Sequence, residues 1–452
     1  MKIIVCGAGN VGRSIVGYLT QGNNDIIVID NKAAHLNELA KEFDVQPVLG
    51  NAAHPDILEQ AGAKNVNLLI AATDNDEVNM VTCQVAHTIF NVPKRIARID
   101  SHDYLEPVWS NLYSEASIPV DLIISPDIEI ANAVYRILKV PGSSESLPML
   151  DNRLRLLSFK CPADCPLIKT PLVQLGIVAP DLHISVVSIV RRGRSFIPSG
   201  EDMFEAGDEI YFLVKTAEIA ATILAFGMER PANERVVIFG GNQISRNLAL
   251  KIEKDDNIQN SKIIEEDADI AKELAKELNN TVVISGQMMS DVILTEAGIE
   301  KADVTVAVTD NDKDNLLSSL LAKSRDVPET VSLVNSRAYN TLIDNIGDNI
   351  LVDRTAVTIS SILKELRKTN LQSAYSLGRG FGELWQLRLD AEDELNGREI
   401  SRLELPEDSQ ICAIGRGDEI IFPDSDEILQ AEDILVVFVG SGDIKKVEKI
   451  FS

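Results

Sequence analysis

Short β-branched runs alternate with helix-length amphipathic stretches through the first part of the chain. Lys2 to Val5, Asp25 to Ile29, Asn67 to Ala71, Arg95 to Ile99 and Leu122 to Ile124 are strand-sized and largely apolar, whereas Ala34 to Phe43 and Val78 to Phe90 are amphipathic over helical lengths. This alternation predicts a parallel sheet flanked by helices. The longest apolar runs, such as Ile434 to Val439, are also strand-sized. None reaches the roughly 18 to 20 residues that a membrane-spanning helix needs. Met1 leads straight into Ile3-Ile4-Val5 and a glycine cluster, without the basic and cleavage regions of a signal peptide. A cytoplasmic chain with no direct membrane insertion is expected.

The pattern then returns. Gly50-Asn-Ala-Ala-His-Pro-Asp-Ile-Leu-Glu-Gln-Ala-Gly62 aligns without a gap on Gly286-Gln-Met-Met-Ser-Asp-Val-Ile-Leu-Thr-Glu-Ala-Gly298, at a shift of 236 residues. Ala71-Ala-Thr-Asp-Asn-Asp76 falls on Ala307-Val-Thr-Asp-Asn-Asp312, and Asn79 on Asn315, in the same register. Upstream, Ile4 to Gly9 matches Val237 to Asn242. Two smaller β-rich regions also match, with Arg191, Pro198 and Asp208 corresponding to Arg416, Pro423 and Asp433 at a shift of 225. The order is large, small, large, small, with segments at 1–125, 145–228, 232–353 and 373–452. Pro141-Gly-Ser-Ser144, Arg230-Pro-Ala-Asn-Glu234 and Ser376-Leu-Gly-Arg-Gly380 read as the punctuation between them.

Composition narrows the class. With 45% hydrophobic and 25% charged residues the chain is an ordinary globular protein, and its net charge of -26 repels nucleic acid and anionic lipid. The same charge suits docking on a basic protein surface, such as the Lys- and Arg-rich cytoplasmic loops of membrane proteins. The five cysteines are scattered and odd in number, as reduced thiols are. Cys161 and Cys165 have no second Cys or His pair beside them, so they read as turn cysteines rather than a zinc site, and no metal is expected.

Candidate chemistry gathers on the first large segment. Gly7-Ala8-Gly9-Asn10-Val11-Gly12 follows a strand and opens a helix, which is the setting a dinucleotide fingerprint requires. Gly7 permits the turn, Gly9 lets a pyrophosphate approach the helix N-terminus, and Gly12 lets helix and strand pack closely. Asp30 ends the second strand, where a carboxylate can accept both ribose hydroxyls and disfavours a 2′-phosphate, so NAD or NADH is expected over the NADP pair. Thr73 and Asp74 stand at the carboxyl edge of the sheet, either touching ligand or, for Asp74 or Asn75, capping the next helix. Arg98 points a cation to the same edge or forms an ion pair. The fold class that follows is α/β: two Rossmann-like doubly wound parallel-sheet domains, each followed by a small α/β lobe.

Gly7 to Gly12, Asp30, Gly50 to Ala52, Thr73-Asp74 and Arg98, repeated in tandem with a small lobe after each copy, resemble the RCK (KTN) nucleotide-sensing domains that regulate potassium transport. The tandem length and order most resemble those of Trk-system potassium uptake regulatory subunits. The resemblance implies NAD(H) binding through these residues together with Asn51 and Ala52, with ATP or ADP as alternative ligands. It also implies a homotetramer on the cytoplasmic face of the inner membrane, attached to a potassium-translocating integral subunit. The family often carries Asp where this chain has Asn51. The second copy departs further: Gly240-Gly241-Asn242-Gln243-Ile244-Ser245 places Asn242 and Ser245 on Gly9 and Gly12, Glu265 replaces Asp30, and Leu333 replaces Arg98, while Thr309 and Asp310 are kept. That copy either takes a smaller or different nucleotide or is empty and structural, and the departures favour the latter. In the small lobes, Glu205-Ala-Gly-Asp208 and Ala431-Glu-Asp433 read as turn residues, and the resemblance implies dimer contacts or an effector site there. An NAD-dependent oxidoreductase is the alternative, but none of His35, His54, His87, His102 and His183 recurs in the second copy and no substrate domain follows, so no enzyme is expected.

Overall fold

The computed structural model describes residues 1–20, 24–228, 230–335, 349–366, 371–378 and 380–451. It divides into two compact units, residues 1–130 with 357–362, and residues 131–356 with 363–452. The first unit holds β1 (Lys2–Cys6), α1 (Asn10–Leu19), β2 (Asp25–Asp30), α2 (Ala33–Glu42), β3 (Gln46–Leu49), α3 (Pro55–Gln60), β4 (Leu68–Ala71), α4 (Asp76–Thr88), β5 (Lys94–Arg98), α5 (His102–Leu105) and β6 (Leu122–Ile124), with α6 (Pro126–Leu138) leading out of it. All six strands are parallel, in the order β3-β2-β1-β4-β5-β6. Helices cover both faces, which is why Ile3 to Cys6, Ile26 to Ile29 and Leu68 to Ala71 are buried throughout and read as unbroken apolar runs. The order reverses between β1 and β4, and at such a switch point the carboxyl ends of the strands open a crevice.

The second unit begins with an antiparallel lobe: β7 (Glu145–Met149), β8 (Leu154–Lys160), α7 (Leu175–Val178), β9 (Ile184–Arg191), β10 (Arg194–Phe196), β11 (Glu209–Lys215) and α8 (Ile219–Ala225). A second parallel sheet follows, with β12 (Arg235–Phe239), α9 (Gln243–Ile252), β13 (Asn260–Glu265), α10 (Ala268–Glu277), β14 (Val282–Ser285), α11 (Asp291–Ala297), β15 (Val304–Ala307), α12 (Asp312–Ser324), β16 (Glu329–Val334) and β17 (Asn349–Asp353); the helix after it, α13 (Arg354–Leu366), has residues 357–362 in the first unit. Its order, β14-β13-β12-β15-β16-β17, repeats that of the first. The last lobe contains β18 (Leu371–Leu377), β19 (Gly382–Arg388), β20 (Ser409–Arg416), β21 (Glu419–Ile421), β22 (Ile434–Gly440) and α14 (Ile444–Ile450). Strand order is again shared, β10-β9-β11-β8-β7 in one lobe and β21-β20-β22-β19-β18 in the other.

The run Ser376 to Gly380 is not a linker before the last lobe. Ser376 and Leu377 end β18, which pairs with β19, and the glycines lie in the turn between those strands; Arg379 lies outside the described residues. A register shift between Leu371 and Ser373 breaks the alternation of β18 and hides the strand.

Strands of the first lobe are apolar on both faces. Along β11, Tyr211 and Leu213 face one cluster while Ile210, Phe212 and Val214 face another. The first cluster is shared by the two lobes: Met149, Leu154, Leu156, Val187, Tyr211 and Leu213 meet Leu377, Leu384, Ala413, Val436 and Phe438. The corresponding arginines noted in the sequence clamp a turn in each lobe. Arg191 grips buried Asp208 through Nε at 2.8 Å and a terminal nitrogen at 2.7 Å, and Arg416 grips Asp433 at 2.9 Å through both. Among the described residues no helix is long and apolar enough to cross a membrane, and no cluster of His, Cys, Asp and Glu suits a metal ion.

Candidate functional site

Strand β1 ends at Cys6 and the chain turns at once. Gly7 takes a φ of +103°, and a Cβ there would stand 2.6 Å from the Ala72 carbonyl oxygen, so glycine alone lets the loop after β1 lie on the loop after β4. At Gly12 a Cβ would come within 1.9 Å of Gly7 O. Gly9 is different. It caps α1 in an extended conformation open to any residue, and nothing lies within 4 Å of the place its Cβ would take. It offers the first turn of α1 no side-chain acceptor, and that turn holds no acidic residue. Ala8 and Val11 are buried beneath the loop, with Gly9 and Asn10 exposed above it.

Asp30 ties this loop to its neighbours. Its Oδ2 accepts from Ala8 N at 2.7 Å, Oδ1 accepts from Lys32 N at 2.7 Å, and its carbonyl accepts from Gly50 N at 3.0 Å. Each carboxylate oxygen has lone pairs to spare beyond those bonds. The Asn51 carboxamide is spent locally, its Oδ1 accepting from Ala53 N at 3.0 Å, and Ala52 is buried. His35 Nδ1 lies 3.6 Å from Asp30 Oδ2.

On the other side of the crevice, Thr73 is held by a residue to which the sequence reading gave no role. Buried Asn79 of α4 receives Thr73 N at 3.0 Å and Thr73 Oγ1 at 2.7 Å on its Oδ1, and donates from Nδ2 to Thr73 O at 3.1 Å and Arg98 O at 2.9 Å. Its only signal in the sequence was its recurrence as Asn315. Asn75, not Asp74, caps α4 by accepting from Val78 N at 2.7 Å, and Asp74 is exposed. The Arg98 guanidinium pairs with Asp100, Nε to Oδ2 at 2.6 Å. Burial pushes the Asp100 carboxyl up, and Arg98 opposes that shift. Asp76 accepts from the Asp100 and Ser101 amides and fixes this end of β5. Gly7, Gly9, Asp30, Thr73 and the end of β5 bearing Arg98 are thereby joined around one sheet edge.

The second copy keeps the frame and fills the opening. Glu265 Oε2 accepts from Gly241 N at 2.5 Å and Oε1 from Asp267 N at 2.7 Å, as Asp30 does. Thr309 and Asn315 repeat the Thr73–Asn79 bonds, and Asn315 reaches Leu333 O at 2.9 Å. Asn242, however, folds its side chain over the start of α9. Its Oδ1 accepts from Ile244 N at 3.1 Å and Ser245 N at 3.2 Å, and its Nδ2 donates to Val308 O at 2.6 Å. A carboxamide oxygen thus takes the amides that the fingerprint leaves for phosphate. Gln243 and Asp310 are exposed, the latter 3.6 Å from Arg354.

Comparison with known proteins agrees with this two-fold plan. The TrkA-N domain matches residues 3–126 and again 236–353, and the TrkA-C domain matches 156–227 and 384–452. The chain is 34% identical over 451 residues to the Trk system potassium uptake protein TrkA of Azorhizobium caulinodans, covering 100% of this chain and 98% of that one. Among solved structures it is similar to the GsuK RCK domain, with a TM-score of 0.64 at 19% identity over 100% of this chain and 94% of that one. The GsuK channel bound to NAD gives a TM-score of 0.62 at 18% identity, covering 99% and 79%.

Proposed function

Because the chain belongs to the family of Trk system potassium uptake proteins TrkA, with two TrkA-N and two TrkA-C domains, we propose that its first TrkA-N copy is an NAD(H) sensor that gates a membrane potassium-translocating subunit. The observation that carries this reading is the contrast between Gly9, with open space above it, and Asn242, whose side chain covers the same point in the second copy. A pyrophosphate lies over Gly9 against the first amides of α1, and Asp30 accepts the adenosine ribose hydroxyls with its remaining lone pairs. A 2′-phosphate meets that carboxylate head-on. ATP and ADP share the adenosine and diphosphate and compete for the place. Thr73 and Arg98 serve the other half of the ligand, Arg98 by turning from Asp100 to phosphate. The NAD bound to the similar GsuK channel supports the assignment by likeness of fold. The second copy acts as structural support, its phosphate place being taken by Asn242.

Regulation needs only a ligand that binds two arrangements of the protein unequally. A homotetramer docked on the cytoplasmic side of its integral partner, with no chemistry performed on the cofactor, suits the acidic chain and its family. His35 stands at the ribose end, so it is not placed to exchange protons with a nicotinamide. The test pairs calorimetric titration with potassium uptake by liposomes carrying the membrane subunit. Asp30→Ala weakens NADH roughly tenfold or more by removing bonds to a charged acceptor. Gly9→Val abolishes binding without unfolding, because its backbone and surroundings accept a side chain. Uptake that still responds to NADH with the non-binding Gly9→Val protein places the sensor elsewhere.

A further inference from the structure

The two small lobes build the same turn, before β9 in one and before β20 in the other, and cover it differently. In the first lobe Leu172 N donates to Asp202 O at 2.9 Å, Val173 N to Gly200 O at 2.9 Å and Gln174 N to Pro171 O at 2.8 Å. Ile400 N, Ser401 N and Arg402 N make the same three bonds in the last lobe, to Glu427 O at 3.0 Å, Ser425 O at 2.8 Å and Glu399 O at 3.0 Å. Buried Leu175 and Leu403 follow. Leu175 stands nine residues before β9 and Leu403 six before β20, so the first lobe has three residues more. They complete α7, where Ala179 N closes on Leu175 O at 2.8 Å, and bring out Ile177 and Val178 at 80% and 55% exposure. One helical turn before Ile177, Val173 is 66% exposed where the last lobe has Ser401. Met203, 41% exposed, bridges to Pro171 on the facing segment, and a Cβ at Gly200 would stand 3.3 Å from Val173 Cβ. Single exposed apolar side chains need no explanation. A group of four, on a turn that the sister lobe covers with Ser401 and an Arg402–Glu399 ion pair, marks a surface that something else covers.

We propose that this surface docks a cytoplasmic segment of the potassium-translocating subunit, a short amphipathic stretch with apolar side chains on one face and Lys or Arg beside them. The proposal rests on the gating role argued above. Its charge selects the partner. From Pro171 to Leu182 and from Ser195 to Gly207 there is no Lys or Arg, while Asp181, Glu201, Asp202 and Glu205 all lie there. Against these four carboxylates stand Lys169, just before the turn, and Arg191, which bonds Glu205 at 2.8 Å but also spends its charge on buried Asp208. The border of the apolar group is therefore negative, and it complements the cations that crowd the cytoplasmic side of integral membrane proteins. A second copy of this chain does not suit, because a two-fold contact brings Asp181 and Glu201 against like charges. An anionic lipid surface is repelled for the same reason. Between Val173 and Ile177 the backbone is open, with nothing within 4 Å of the place a Cβ of Gly176 would take, so a partner side chain can seat there.

The test sediments the full-length protein with liposomes carrying the membrane subunit and with the same liposomes lacking it. Ile177→Glu should weaken retention by the subunit at least about tenfold. Val173→Ser, which installs the residue of the sister lobe, and Glu201→Lys should each weaken it severalfold. Ile428→Glu, at the place in the last lobe that corresponds to Met203, should leave it unchanged. Thermal melts check that the exposed substitutions keep the fold, calorimetry that NADH affinity is unaltered, and light scattering that the mass of the assembly is the same. Retention of Ile177→Glu equal to that of wild type overturns the proposal and leaves the gating role standing. A changed mass puts a second copy of the chain on this surface, and an equal loss from subunit-free liposomes puts lipid there; either overturns it too. Wild-type protein that ignores the subunit-bearing liposomes overturns the gating role as well.

Discussion

The Asn79 carboxamide makes four hydrogen bonds, all to Thr73 or to the backbone at Arg98, using both its acceptor oxygen and its donor nitrogen. Asn79→Ala strands a buried amide and two carbonyls, and a cost of about 2 to 4 kcal/mol is expected in denaturant unfolding. Thr73 and Arg98 flank the proposed nucleotide place, so NADH affinity should fall with it. Asn315→Ala should cost a similar amount and, on the proposal that the second copy is structural, leave NADH affinity unchanged. Unequal stability losses with equal affinity losses would refute the division of labour between the copies. Recurrence of this asparagine was visible in the sequence, but its role was not, because most of its partners are main-chain atoms that carry no letter of their own. The position of Asp30 beside the glycine loop was legible for the opposite reason: its place after the second strand and behind the glycines is itself a sequence pattern.

At the scale of elements, α1 and α9 are the same helix with different caps. The parallel strands were legible because burial on both faces makes them continuous apolar runs. The edge strand β18 was not, since a bulge interrupts its alternation and polar residues fill the gaps. The side-chain cap on α9 could be foreseen only as a loss of glycine. Its geometry adds that Asn242 supplies an internal acceptor for the amides of Ile244 and Ser245. Asn242→Gly should then cost only a few tenths of a kcal/mol in stability, because glycine is nearly as good at an N-cap. Placed in a Gly9→Val background, so that the first copy is silent, it should create adenine-nucleotide binding at least about tenfold tighter than in the background alone. Calorimetry with ADP reads this directly. No gain would mean that Glu265 against Gly241 and the missing cation at Leu333, rather than the cap, close the second copy.

Across the whole chain, the duplication that the sequence displays as a shift of 225 between the lobes does more than repeat a fold. The two lobes bury a common apolar face, and that pairing could not be read from the sequence, because it depends on two surfaces assembled from strands some 230 residues apart. Glu145 sits at this junction. Its Oε1 accepts from Gly378 N of the last lobe at 2.8 Å, and its Oε2 is buried with no hydrogen-bond partner among the described residues. Glu209, held by Tyr211 and Ser144, and Asp353 add negative charge nearby, and Arg136 offsets them only in part. Burial first, then the Glu209 charge, pushes the Glu145 carboxyl from 4.5 to about 8. The folded protein therefore binds this proton more tightly than the unfolded chain does. Stability from the protonated form is complete below the ordinary carboxyl value and is lost as pH rises through the window from 4.5 to about 8, after which the loss levels off. Glu145→Gln keeps the neutral shape at every pH. Thermal melts should find wild type and Glu145→Gln close together near pH 5, with the variant the more stable by on the order of 1 to 3 kcal/mol at about pH 8.5. Parallel pH profiles for the two proteins would show that the lobe junction carries no such proton, and that Glu145 stays ionised against the charge of Arg136.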